Sequence, residues 1–351
     1  MRVAVLSYPT LFQTFGGLKM KIGRTVDALN KRGIEAKLID TVHDCFRDYD
    51  LVHLFAPYNG NYRIVEQAKA DGLPVVISTI LNPPFSKRDG RRANFLSRVV
   101  GKLTNWSVTT SYQQVVTALT LADHLIALGG IERCMLIDSY GMPEDKTSIV
   151  YNGIGEEFFC ATSEAFEAAY SIPHPFVLHT GLMGDTKNQL GLVRALKDEN
   201  VNIVLIGYSN QGSEDYLQAC MREGGDRVHY LGELPHGEVL ASAYAAADIV
   251  AVPSRHEGMP NSILEALASD KPVVLTDNHT IDFALPTAVA AEVNSYDDQA
   301  IHDAVMRLLN HPAAAGHARS VVASLSWPAV AEKLEAIYSR LLPLNESSRR
   351  S

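Results

Sequence analysis

Much that would classify this chain at sight is missing from it. Its 351 residues include four cysteines, Cys45, Cys134, Cys160 and Cys220, spaced so widely that they form neither a C-x-x-C pair nor a metal-type cluster. A disulfide scaffold is therefore set aside, and the expectation is a reduced, cytoplasmic protein. No apolar run is long enough to cross a bilayer. The opening residues 1–7 read as a first strand and lack the long apolar core of a signal peptide. There is no excess of positive charge: the formal net charge is −9, which argues against a nucleic-acid surface spread over the whole chain. No fixed-period repeat or low-complexity tract appears, apart from a polar tail, residues 344–351, expected to be disordered. Finally, Gly16-Gly17 does not run on into a G-x-G-x-x-G turn, and no acidic residue is tied to one. A dinucleotide-dependent dehydrogenase is thereby disfavoured.

What is present is a soluble globular composition, 46% apolar and 20% charged, with length enough for two cores. Strand-like and helix-like segments alternate throughout. Strands are expected at residues 2–7, 34–39, 51–55, 75–79, 124–128 and 148–151. A second series is expected at 176–180, 201–206, 228–231, 248–252 and 272–276. The helix after the first strand carries Leu18, Ile22, Val26 and Leu29 on one face. Such alternation implies parallel sheets covered by helices on both faces. Residues 153–175, with their glycines, Pro173 and Pro175, break the rhythm and read as a linker between two Rossmann-like halves.

The richest stretch is Pro253-Ser254-Arg255-His256-Glu257-Gly258-Met259-Pro260-Asn261-Ser262-Ile263-Leu264-Glu265-Ala266. A buried strand ends just before it, and a helix capped by Asn261 or Ser262 is expected to begin within it. In open α/β sheets ligands bind beyond the carboxyl ends of the strands. Glu257 is thus placed at the mouth of a cleft, with Glu265 about one turn into the bordering helix. Carboxylates accept hydrogen bonds from vicinal hydroxyls, and helix-start N–H groups receive anions. The set suits a sugar nucleotide: Glu265 on the ribose, the helix start on the phosphates, Glu257 on the hexose. The spacing alone fits equally well two solvated glutamates beside an ordinary helix. Lys187, in the turn after the strand 176–180 and at a helix start, places its charge against a leaving diphosphate.

These segments, followed by Lys271-Pro272-Val273-Val274, resemble the family 4 glycosyltransferases of the two-domain GT-B fold. Gly16-Gly17, Arg32-Gly33-Ile34-Glu35, Asp50-Leu51-Val52-His53, Tyr151-Asn152-Gly153-Ile154, Leu231-Gly232 and Ala247-Asp248-Ile249 fall in the same order as that family's motifs. The resemblance implies two Rossmann-like β/α/β domains with a deep interdomain cleft. Their expected bounds are 1–155 for the acceptor domain, 156–175 for the linker and 176–325 for the nucleotide-sugar domain. A C-terminal helix, 326–343, with Trp327 and Tyr338, is expected to return to the first domain. The resemblance also implies retaining transfer of a hexose from a UDP- or GDP-linked donor to a glycan or lipid-linked acceptor. No cofactor and no metal are expected. Its donor site maps onto Gly16, Gly17, Gly181, Lys187, Glu257, Gly258, Met259, Pro260, Asn261, Ser262 and Glu265, with Lys187 and Glu257 catalytic.

Two positions depart from the family. Leu182 stands where an arginine usually follows the glycine, and Arg255 in the neighbouring loop is the candidate to replace it. Ile80 stands where a histidine is often found. His53 reads as a packed strand residue, and Thr79 and Asn82 are expected to supply contacts instead. These departures keep open a weakly active or non-catalytic scaffold; a sugar-nucleotide epimerase is a lesser alternative. Residues 86–106 hold six basic residues against Asp89 alone. There Phe95, Leu96, Val99, Val100 and Leu103 recur at helical spacing. That pattern fits a helix docked on the first domain, or peripheral contact with an anionic membrane at its inner face.

Overall fold

The computed structural model describes residues 1–13, 17–40, 42–81, 87–104, 110–209, 212–234 and 237–342, without the side chains of residues 12, 13, 87–89, 91, 94 and 98. Gly16, Asn82, Trp106 and the tail 344–351 lie outside the described residues. Contacts divide the chain into two units, Met1–Gly153 with Trp327–Ser351, and Ile154–Ser326.

In the first unit the apolar runs form six strands: β1 (Arg2–Leu6), β2 (Glu35–Leu38), β3 (Leu51–Phe55), β4 (Val75–Ser78), β5 (His124–Ala127) and β6 (Thr147–Ile149). They pair in parallel in the order β2-β1-β3-β4-β5-β6. Every residue of β3, β4 and β5 is buried, as strands covered on both faces require. Alternation along β1 divides the core: Val3 and Val5 face one apolar cluster, Ala4 and Leu6 the other. The connections carry α1 (Gly17–Lys31), α2 (Tyr62–Ala70), α3 (Lys87–Leu103), α4 (Ser111–Leu121) and α5 (Gly130–Asp138).

The second unit opens with two short helices, α6 (Glu156–Phe159) and α7 (Glu164–Ala169). Here the structure corrects the expectation of a linker over residues 156–175. Phe158 and Phe166 are fully buried, both helices pack on a later helix of the same unit, and the Phe166 N–H donates to Ser242 Oγ at 2.8 Å. The sheet follows: β7 (Phe176–Thr180), β8 (Asn202–Ile206), β9 (Val228–Tyr230), β10 (Ile249–Val252), β11 (Val273–Thr276) and β12 (Ala290–Val293), ordered β12-β11-β10-β7-β8-β9. All its pairings are parallel. Its helices are α8 (Gln189–Leu196), α9 (Glu214–Gly224), α10 (Glu238–Ala246), α11 (Asn261–Ala268), α12 (Asp298–Asn310) and α13 (His317–Val322).

The chain then returns to the first unit as α14 (Trp327–Leu341). Val330, Leu334, Ile337 and Tyr338 form its buried stripe, packed with Ile22 and Leu29 of α1. The Tyr338 hydroxyl hydrogen-bonds His53 Nδ1 at 2.7 Å, and Ser78 Oγ hydrogen-bonds Nε2 at 2.9 Å. Burial first, and the Lys21 charge second, push the His53 pKa down to about 3. His53 is thus a neutral core residue, in keeping with its expected packed role.

Candidate functional site

In each sheet the strand order reverses at one place, and ligand crevices form beyond such switch points. In the second unit the switch lies between β7 and β10. The turn after β7 begins at Gly181, whose φ of +153° favours glycine. A Cβ on neighbouring Gly207 would stand 1.8 Å from the Gly181 carbonyl oxygen, so that close approach also needs glycine. Buried Gln189 braces the turn, donating to the Leu182 carbonyl at 3.0 Å and accepting from the Gly184 N–H at 3.3 Å. Asn188 takes the left-handed conformation as the N-cap of α8. Its amide donates to the carbonyls of Pro253 at 3.1 Å and Ser295 at 2.8 Å. Lys187 consequently precedes α8 rather than lying in its first turn. His179, buried on β7, donates Nε2–H to the Lys187 carbonyl at 3.2 Å, and Nδ1 has no partner among the described residues. Burial pushes its pKa down to about 4, so it holds the lysine backbone as a neutral ring.

The loop after β10 brings Glu257 to that lysine. Its N–H donates to the Asn278 carbonyl at 3.0 Å, and the Thr280 N–H donates to the Gly258 carbonyl at 3.1 Å. Glu257 is 8% exposed, and one oxygen, Oε1, accepts from Lys187 Nζ at 2.5 Å and from Ser254 Oγ at 2.6 Å. The lysine side chain is 30% exposed, so the pair is dry on one side and wet on the other. Helix α11 begins at Asn261 with Pro260 as N-cap and no side-chain cap bond. This corrects the expectation that Asn261 or Ser262 caps it: proline supplies the extended backbone, and Asn261 and Ser262 take the first two helical positions. Those positions precede the intrahelical ladder. Met259 and Pro260 are buried beneath the loop.

Glu265, one turn into α11, accepts at Oε2 from the hydroxyl of Tyr244 at 2.9 Å, and that hydroxyl meets Thr180 Oγ1 at 2.6 Å. The second unit therefore gathers Gly181, Lys187, Glu257, Gly258, Met259, Pro260, Asn261, Ser262 and Glu265 at one sheet edge. Gly17 opens α1 in the other unit. Ser254, Asn188, Thr180 and Tyr244 escaped the sequence reading. For Tyr244 a signal existed: it is the single large side chain in the run 241–247, otherwise alanine and serine.

Arg255 has other commitments than replacing an arginine at Leu182. Its guanidinium donates to the Ser295 carbonyl, lies 3.5 Å from Asp185 and stacks 4.2 Å over the Tyr296 ring. Leu182 is 42% exposed. Among the described residues no cluster of three His, Cys, Asp or Glu groups is placed to hold a metal. A depression of about 560 Å³ beside β12 and α12, lined by Leu285, Glu292, Ala304 and Arg307 among others, contains none of the site residues.

The first unit's edge is closed by side chains. Thr79, expected to offer a hydroxyl contact, is fully buried and donates to Glu132 Oε1 at 2.6 Å. The Leu81 N–H donates to the same oxygen at 2.7 Å and the Leu128 N–H to Oε2 at 2.6 Å. Between Thr79 and Leu81, Ile80 is forced to a φ of +46°, a strained state for a β-branched residue.

Two six-stranded parallel sheets with helix-covered faces, each with one switch point, are the two Rossmann-like units of the GT-B fold. Solved structures of that fold align along nearly the whole chain. Anabaena HepE in complex with UDP-glucose superposes with a TM-score of 0.73 at 16% identity, covering 97% of this chain and 100% of that one. Sucrose-phosphate synthase of Thermosynechococcus elongatus gives 0.68 at 20% identity, covering 97% and 99%. Residues 174–311 match the family described as glycosyl transferases group 1, a span that holds every second-unit site residue. The D-inositol 3-phosphate glycosyltransferase of Corynebacterium diphtheriae is 28% identical over 247 residues, 62% of this chain and 56% of that protein. That of Mycolicibacterium smegmatis is 30% identical over 242 residues, 66% and 55%. The matched stretch thus spans little more than half the length of these relatives. The matched family and these relatives alike are described as glycosyltransferases.

Proposed function

We propose that the chain is a retaining, metal-independent glycosyltransferase that moves a hexose from a UDP- or GDP-linked donor to a glycan or lipid-linked acceptor. The observation that carries this reading is the Lys187–Glu257 pair, held by the loop that leads into α11, the helix that carries Glu265. In the donor-free protein Glu257 is the counter-ion of Lys187. An arriving diphosphate takes over that role, and Glu257 turns to the hexose hydroxyls. Glu265 holds the ribose diol. As the bond from the anomeric carbon to the phosphate oxygen breaks, negative charge grows on the diphosphate and the Lys187 ammonium neutralises it. The acceptor oxygen bonds to the anomeric carbon on the same face, and its proton passes to the departing phosphate oxygen. No separate side-chain base is then needed. The similar HepE was solved in complex with UDP-glucose, so UDP sugars are the first donors to try.

Nucleoside diphosphate release from UDP- and GDP-sugars tests the reading. Lys187→Ala and Glu257→Ala should each slow release by about a hundredfold. Equal rates in wild type and variants would sink it. Donor binding without release, whatever the acceptor, favours the scaffold alternative, for which exposed Leu182 is the best observation.

A second observation bears on where the enzyme works. In α3 the buried face is Gly90, Ser97 and Gly101, small residues packed toward the protein. Its apolar residues face outward: Phe95 is 70% exposed, Leu96 60% and Leu103 81%. The expected docking of that apolar face on the first unit is thereby corrected, and we propose peripheral contact of α3 with an anionic membrane. The side chains of Lys87, Arg88, Arg91 and Arg98 lie outside the described residues, while Arg92 and Lys102 are exposed. Salt-sensitive sedimentation with anionic liposomes, lost in Phe95→Ser/Leu96→Ser, is expected; equal recovery with neutral liposomes would remove the proposal.

A further inference from the structure

Tyr244 is fully buried on α10, and its ring meets Phe158 edge-on at 5.5 Å and 83°. Phe158 belongs to α6, which is tied to the end of α11 through the Ser269 hydroxyl, a donor to the Phe158 carbonyl at 3.2 Å. The ring is therefore buried against a fixed Phe158 and keeps little freedom. Its hydroxyl sits between Thr180 and Glu265, at 2.6 and 2.9 Å. A phenol has one proton and a carboxylate can only accept. The proton of Tyr244 must point at Glu265 Oε2, and Thr180 must donate to Tyr244. The three groups form a one-way chain from the end of β7 to the second turn of α11. Burial, and then the neighbouring Glu265 charge, raise the Tyr244 pKa well above its ordinary value, so the hydroxyl keeps its proton and stays a donor.

Glutamate on a helix surface has three rotatable bonds and no fixed carboxylate plane. Gripping a diol demands that the plane be fixed, and ordering it during binding costs affinity. We propose that Tyr244, oriented by Thr180, is the positioning residue that presets the Glu265 carboxylate for a ribose diol, and so sets the preference for ribonucleotides over deoxyribonucleotides. The proposal rests on the reading of Glu265 as the ribose-binding residue. Tyr244 itself touches no substrate; it acts through Glu265.

The test compares dissociation constants of UDP with those of its 2′-deoxy and 3′-deoxy forms, or of the GDP set if the protein binds GDP instead. Wild type should prefer the ribonucleotide, and Glu265→Ala should abolish that preference. Tyr244→Phe keeps the ring on Phe158 and removes only the hydroxyl. It should weaken UDP binding about tenfold, the worth of one hydrogen bond to a charged group, while deoxy-UDP binding stays near its wild-type value. A merely structural hydroxyl would lower both affinities alike, or only the melting temperature. Thr180→Val, a milder change, should give a smaller shift of the same ratio and carries the test if the phenylalanine variant does not fold. Undiminished discrimination in both variants overturns the role of Tyr244. A wild type that never discriminates overturns the reading of Glu265 instead.

Discussion

Glu132 and Glu257 both lie beyond strand ends of parallel sheets, both nearly removed from solvent, yet their surroundings differ in kind. Glu132 stands in the first turn of α5 and fills both oxygens with neutral donors: one hydroxyl and two backbone N–H groups. The nearby cation, Lys21, is buried as well and donates a hydrogen bond to Asn152 Oδ1 at 2.8 Å. Burial pulls that lysine down to about 8 against the opposing pull of Glu132. Glu257 instead has a hydroxyl and the ammonium of a partly exposed lysine on one oxygen, and no bond to its other oxygen among the described residues. The first arrangement is a fixed clamp on a strained turn. The second has a cation that a ligand can reach and an acceptor lone pair to spare, which is what a binding site requires. Similar edges of similar sheets thus carry a saturated carboxylate in one unit and an unsaturated one in the other.

The same substitution made in both units tests this contrast most sharply. Glu132→Gln puts an amide NH₂ where the clamp needs an acceptor, so at least one donor among Thr79, Leu81 and Leu128 faces another donor. A buried, charge-assisted set broken this way should cost about 3 kcal/mol, read as a fall in the urea midpoint. A loss under about 1 kcal/mol would mean that Ile80 is held in its strained state by something else.

Histidines extend the comparison to acid. His53 uses both ring nitrogens, and its pKa is held at about 3 in the folded state, against an ordinary value near 6.5. Between those values the unfolded chain binds the extra proton, so stability is full above about 6.5 and is lost as pH falls toward 3. The slope is about 1.4 kcal/mol per pH unit for one such group, giving about 2 kcal/mol between pH 7 and 5. His179 carries the same sign over a shorter window, its pKa being about 4. His53→Gln should therefore flatten the acid side of the stability profile. An unchanged profile would place the acid sensitivity elsewhere.

How much of this was readable in advance follows from where the physics is local. Valine- and isoleucine-rich runs such as Val75–Ser78 and Ile249–Val252 announce strands, because only buried parallel strands tolerate them. β12, Ala290–Val293, was not expected, since alanine and glutamate are poor strand formers and its place at the sheet edge relaxes the demand. Glycine and proline made 156–175 look like a linker, although Phe158 and Phe166 anchor it. The placement of Lys187 between a strand and a helix was legible, as was that of Glu257 in a loop and Glu265 in the helix after it. Tyr244 and Glu132 were not, because their roles exist only through partners 21 and 53 residues away in sequence. A buried tyrosine in an alanine-rich helix reads as core until its hydroxyl is seen to have a destination.

The gentlest prediction closes the pair begun with Glu132. In Glu257→Gln the amide oxygen can keep both the Ser254 hydroxyl and the Lys187 ammonium, and the NH₂ takes the side that, among the described residues, has no protein donor to lose. The lost charge is partly screened, because Lys187 reaches solvent. The stability change should stay within about 1 kcal/mol, measured by the same urea titration. Donor turnover should nevertheless fall, because the hexose hydroxyls would meet an amide where they need a second acceptor. If Glu257→Gln proved as destabilising as Glu132→Gln, Glu257 would be a clamp too, and the two sheet edges would differ in sequence but not in purpose.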